Sequence, residues 1–234
     1  VRSGKIRHKS HDDRSNLVRP ADLPATWALE RLGNLVDPES TISYGVLVPG
    51  NDVPDGVPFV RAQDLSLSAH SERPNKTISL DIEKAYARTR LRGGEILLCV
   101  VGSIGKLGIV PPSWTGANIA RAVARIQPID EIFRDYLLIV LRGPRVQTYF
   151  AETTRTLAQP TLNVGLIEQT PIPIPPLKEQ HRIVAKVDEL MACCDELESI
   201  LTATVVTRLQ AVESLLQRRL LGADLAHLES DHLE

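Results

Sequence analysis

The stretch Pro171–Ser199, PIPIPPLKEQHRIVAKVDELMACCDELES, decides the fold because a proline strip opens directly into a charged helical pattern. Prolines 171, 173, 175 and 176 hold their own φ at about −65° and push each preceding residue out of the α region, so the strip must be extended. Beyond Leu177 the apolar residues Ile183, Val187, Leu190, Cys194, Leu197 and Leu201 alternate steps of four and three, with charged side chains on the other faces. That spacing is a coiled-coil seam. Steps of four then run through Val205 to Leu209, and Val212 and Leu216 return to three and four; the departure predicts local unwinding of a left-handed supercoil. The helix is expected over 178–221, with Gly222 just past its end as a C-terminal cap. About forty residues would make a rod on the order of 60 Å. A helix of that length with one apolar stripe needs a partner helix, and the chain holds no second one of similar length. The competing reading is a helix folded back on its own body.

Working back toward the N-terminus, residues 1–20 are polar and basic without an apolar period and read as a disordered tail or linker. The body, 21–172, mixes short apolar runs with dense Gly and Pro punctuation. Strands are expected at Thr41–Val48, Val57–Arg61, Glu95–Val101, Gly108–Val110 and Ala122–Ile126, and helices at Ala28–Leu35, Asp81–Arg88, Ile132–Arg142 and Arg145–Thr153. The fold class is therefore α+β, a mixed body followed through the 173–177 junction by a long coiled-coil helix. Residues 222–234 read as a tail, and Leu233-Glu234 could be a cloning remnant.

Composition sets limits. No run approaches the length of a membrane span and the N-terminus lacks a signal-peptide core, so a cytoplasmic chain is expected. Cys99, Cys193 and Cys194 form neither a disulfide framework nor a zinc spacing and are expected to be buried, inert thiols. The net charge of −2 argues against a uniformly basic surface. The acid is concentrated C-terminally, where from Lys178 onward six basic residues face eleven acidic ones. A nucleic-acid surface on the body would have to be a local basic cleft.

Four polar clusters could form one. Gly102-Ser103-Ile104-Gly105-Lys106 follows an apolar run but is no phosphate loop, since Val100 stands where the first Gly belongs and Leu107 where the Ser or Thr belongs. It reads as a tight glycine turn projecting Ser103 and Lys106, either to a ligand or as a plain hairpin turn. Asn118 and Arg121 carry the side chains that read adenine and guanine edges, though Asn118 could satisfy a turn and Arg121 could pair with a carboxylate. Arg61 and Gln63, with Asp64, emerge from a strand, functional or merely solvated. In the hydroxyl-rich segment 153–163, Gln159 and Asn163 are the candidates, and a surface connection is the alternative. No HExxH, G-x-S-x-G, cofactor fingerprint or Asn/Asp-Pro-Pro-aromatic tetrapeptide is present, and the six His are scattered. No catalytic, metal or cofactor site is expected.

The helical junction PIPIPPLKEQHRIVAKVDEL resembles that of specificity subunits of type I restriction-modification enzymes. LPATWALERLGNLV (23–36), GVPFVRAQDLS (56–66), GGEILLCVVGSIGKLGIVP (93–111) and ANIARAVARI (117–126) look like successive blocks of that family's target-recognition domain. The resemblance implies a non-catalytic subunit that binds a half-site of double-stranded DNA through Arg61, Gln63, Ser103, Lys106, Asn118, Arg121, Gln159 and Asn163. Its implied partners are modification and restriction subunits and a second copy joined through the long helix. With one recognition domain and one spacer, and no internal repeat, the chain looks like half a subunit. Two rivals are a coiled-coil interaction module that never touches DNA and a recognition domain cut from a single-chain methyltransferase.

Overall fold

The computed structural model describes residues 17, 19–67, 71–155 and 160–230. It divides into two compact units, the first ending at Val184 and the second beginning at Ala185. That division falls within the long helix, beyond the proline strip.

The first unit is closed by a pairing of its two ends. β1 (Ala28–Arg31) runs antiparallel to β9 (Pro171–Ile174), with Leu29 opposite Pro173 and Arg31 opposite Pro171. Alternate residues of an antiparallel strand exchange hydrogen bonds with the partner. Prolines at every second position therefore leave Ile172 and Ile174 free to pair, which is how so proline-rich a segment serves as an edge strand. The expected helix Ala28–Leu35 is corrected here: its first half is strand, and only Leu32–Asn34 forms a 3-10 turn. The partner that overrides its helical pattern lies far along the chain.

The centre is a four-stranded antiparallel sheet in the order β2 (Ser43–Tyr44), β8 (Val123–Ile126), β5 (Ile96–Cys99), β6 (Leu107–Ile109). β5 is buried on both faces, which explains its unbroken run ILLC. Ile96 and Leu98, with Ala124 and Ile126, face one core, which α2 (Arg134–Arg142), α3 (Pro144–Thr154) and α4 (Val164–Glu168) cover with Leu137, Leu141, Val146, Phe150 and Ile167. Leu97, Cys99 and Val123 face a second core with Leu91, Trp114 and Ile119. Each fully buried aliphatic or aromatic side chain there contributes about 1.5–3 kcal/mol. Beyond it lies a three-stranded sheet in the order β4 (Lys76–Ile78), β3 (Val57–Val60), β7 (Asn118–Ile119), in which β3 and β7 are parallel. Between β4 and β5 stands α1 (Leu80–Ala85), capped by the Ser79 hydroxyl. The mixed class is as expected; β4, β7 and α4 had no clear signal, and Thr41–Val48 contracts to β2 and a bridge at Val46.

α5 spans Leu177–Ser230. The end expected at Leu221 is corrected: Gly222 sits inside the helix, where a single Gly costs about 1 kcal/mol without stopping it. In the first unit Gln180 and Val184, one turn apart, are buried. In the second, the seam residues Leu190, Leu197, Leu201, Leu209, Val212 and Leu216 are exposed, as are Cys193 and Cys194. The expectation of buried thiols thus holds for Cys99 alone, whose thiol burial pushes above its ordinary pKa.

Candidate nucleic-acid interface

Strand direction gathers the candidate side chains. β5 ends where β8 begins, Cys99 opposite Val123, and β6 starts opposite Leu98. The turns that follow β3, β5 and β7 therefore emerge at one end of the sheets. Val100 N–H donates to the Ala122 carbonyl at 2.9 Å, and Leu162 N–H to the Val100 carbonyl at 3.0 Å, so the segment ahead of α4 joins the same end. Ala120 N–H donates to the Val60 carbonyl at 2.9 Å, so the residues that follow β7 run alongside those that follow β3.

Within that end the candidates differ in how far they are already committed. Lys106 Nζ donates to the carbonyls of Ala62 and Gln63 at 3.3 Å, stitching the glycine turn to the turn after β3. Gly102 and Gly105 both have positive φ, as the turn requires. Arg61 is paired with Asp64, Nε to Oδ2 at 3.2 Å, and Asp64 Oδ2 also accepts the Arg61 backbone N–H. Gln63, Ser103 and Arg121 are exposed, and Arg121 has no side-chain hydrogen bond or ion pair among the described residues. Asn163 Oδ1 accepts Leu166 N–H at 2.9 Å and caps α4. Gln159 lies outside the described residues.

Asn118 is corrected. It is 0 % exposed, its carboxamide donates to the Tyr86 carbonyl at 3.0 Å, and its oxygen accepts Thr89 Oγ1 at 2.7 Å and Ile119 N–H at 2.8 Å. A side chain so enclosed and satisfied holds β7 to the 3-10 turn Ala87–Thr89 and cannot reach a base.

The structure adds two residues to the list. Arg88 and Arg125 line a cavity of about 410 Å³ together with Arg121, Ser43, Tyr44 and Glu39. Burial pushes the Arg125 guanidinium below its ordinary pKa, and the charge of Glu95 works against that. A charged residue inside the apolar alternation of RAVARI was the available signal, since buried arginines are rare unless paired. Among the described residues no group of three His, Cys, Asp or Glu could hold a metal ion, and no helix is long and apolar enough to cross a membrane.

The chain is thus an α+β body with its polar turns gathered at one end, followed by a long helix with exposed apolar residues along it. The family model described as the type I restriction modification DNA specificity domain matches residues 40–206, and the chain belongs to that family. It is 32% identical over 201 residues to the specificity subunit of the type I restriction enzyme EcoBI of Escherichia coli, covering 86% of this chain and 42% of that one. It is 25% identical over 226 residues to the EcoAI specificity subunit of Escherichia coli, covering 92% and 37%. The chain thus spans about two fifths of the length of these curated relatives. Among solved structures, a chain from work on complex assembly and conformational transition of the type I R-M system aligns with a TM-score of 0.58 at 26% identity, over 79% of this chain and 43% of that one. The HsdS subunit of Thermoanaerobacter tengcongensis aligns with a TM-score of 0.53 at 27% identity, over 74% and 39%.

Proposed function

We propose that this chain selects DNA by sequence for a type I restriction-modification complex. The end of the body that carries Arg61, Gln63, Ser103, Lys106 and Arg121 reads one half of a bipartite double-stranded site. α5 pairs through its apolar seam with the equivalent helix of a second copy, or of a second half, in an antiparallel coiled coil. The paired helices set the distance between two half-sites, as dimer geometry does in other DNA readers. Modification and restriction subunits dock on this assembly and supply the chemistry, and the chain itself contributes no catalytic group.

The observation that carries this reading is the convergence of the turns after β3, β5 and β7 at one end, with the uncommitted Arg121 among them. Family membership supports it independently. The seam supports the pairing, because exposed leucines and valines repeated along a helix are stable in water only when covered.

Selection from a randomised duplex library, by the chain assembled with the modification subunit of its own genome, should recover one symmetric bipartite motif. Alanine at Lys106 and Arg121 together should weaken that binding and lower its salt slope while the oligomer persists. Unchanged binding by the double variant would reject this end of the body as the interface. Recovery of no motif from an intact assembly would favour the coiled-coil interaction module without DNA.

A further inference from the structure

Arg125 stands in the middle of β8, 3 % exposed, with Ser43 and Leu97 as its cross-strand neighbours. Its Nη1 donates to the Arg90 carbonyl at 2.9 Å, while its buried Nε has no hydrogen-bond partner. Glu95 and Asp37 favour the charge electrostatically and Arg92 opposes it. The Glu95 side chain is otherwise engaged: its oxygens accept the backbone N–H groups of Arg92 and Gly93 at 2.6 and 2.8 Å, and they form no ion pair with Arg125. A guanidinium this far out of water is costly unless it is paired. The cavity it lines is shared with Arg88 and Arg121, which are exposed and have no ion pair among the described residues. Glu39 is the single carboxylate residue in the lining.

A cleft lined by three arginines and one carboxylate carries an excess of positive charge, and an anion rich in acceptor oxygens would complement it. A base edge offers one guanidinium fork two acceptors, whereas a phosphodiester offers oxygens to donors from several directions. We propose that the Arg88–Arg121–Arg125 cleft is a clamp for a single backbone phosphate of bound DNA, which sets the register of the body on the duplex without reading sequence. This rests on the DNA reading above and names the chemical group taken at one part of that surface.

The test uses the full chain assembled with its modification subunit on the duplex recovered by selection. Ethylation of one phosphate at a time maps the phosphates that binding needs, for the wild type and for Arg88→Ala and Arg121→Ala. Both side chains are exposed, so the fold should survive. In each variant one and the same phosphate should lose its interference. Affinity should fall about tenfold on selected and unrelated duplexes alike, and the salt slope should drop by about 0.9. An unchanged interference map and slope in both variants, with wild-type binding intact, would overturn the clamp and leave the DNA reading standing. Relaxed sequence preference with an unchanged map would give these arginines to base edges and overturn the clamp equally. Absence of wild-type binding would reject the DNA reading, and the clamp with it.

Discussion

The side-chain oxygen of Gln180 accepts the backbone N–H of Phe133 at 2.8 Å, so the first turn of α5 ties down the residue that opens α2. Gln180 is 1 % exposed, and its amide nitrogen donates to the Pro175 carbonyl at 3.1 Å. The His181 ring packs on Phe133 with 4.1 Å between centroids. Removing one partner of a buried hydrogen bond leaves the other desolvated and unpaired. Gln180→Ala should therefore destabilise the body by about 1–3 kcal/mol, read as a lower urea midpoint. An unchanged midpoint would show that the contact is dispensable.

Asn118 should behave as a structural residue. Asn118→Ala removes the buried hydrogen bonds that its carboxamide makes with the Thr89 hydroxyl, the Tyr86 carbonyl and the Ile119 N–H, and should cost about 1–3 kcal/mol. Arg121→Ala, at an exposed position, should stay within about 0.5 kcal/mol of the wild type. Thermal unfolding of the two variants side by side checks the contrast, and equal losses would contradict it.

Two glycines near the interface should differ in what they tolerate. At Gly45 a Cβ would collide with the carbonyl of Ile119, the group that accepts Val46 N–H at 2.7 Å. At Gly102, φ is +78° and nothing lies within 4 Å of a built Cβ. Gly102→Ala should therefore cost only the left-handed penalty of about 1–2 kcal/mol. Gly45→Ala must move backbone and should cost more, about 3 kcal/mol. Chemical denaturation that ranked the two in the opposite order would contradict the close approach of β2 to β7.

Acid should loosen the loop that precedes β3. The N–H of Thr77 and the ammonium of Lys76 hold the Asp52 carboxyl below its ordinary pKa. A group with a lower pKa when folded binds protons less readily in the native state. Its contribution is therefore present above the unfolded value of about 4 and is lost as pH falls through the folded value. Asp52→Asn should flatten the stability profile in that acid window and leave its shape unchanged near neutrality. A profile parallel to the wild type throughout would remove Asp52 from the acid response.

The amino-acid sequence by itself determined the local features. Alternating prolines required an extended strip, the four-and-three spacing required a long helix, and the apolar run within 95–101 indicated a strand, because each depends on backbone torsions or on periodicity within a few residues. The glycine turn at 102–106 was legible for the same reason. What only the tertiary structure decided depends on partners distant in the chain. Ala28–Arg31 carries a helical pattern but became a strand because Pro171–Ile174 arrives beside it. Asn118 has the side chain of a base reader, yet Tyr86 and Thr89 enclose it. Arg88, Arg121 and Arg125 meet in one cavity because β7 turns into β8 there and the 3-10 turn of residues 87–89 packs against β7. Torsional preference and period are written in neighbouring residues, whereas burial and convergence are set by which strands pair, and that is decided by the cooperative packing of the whole body.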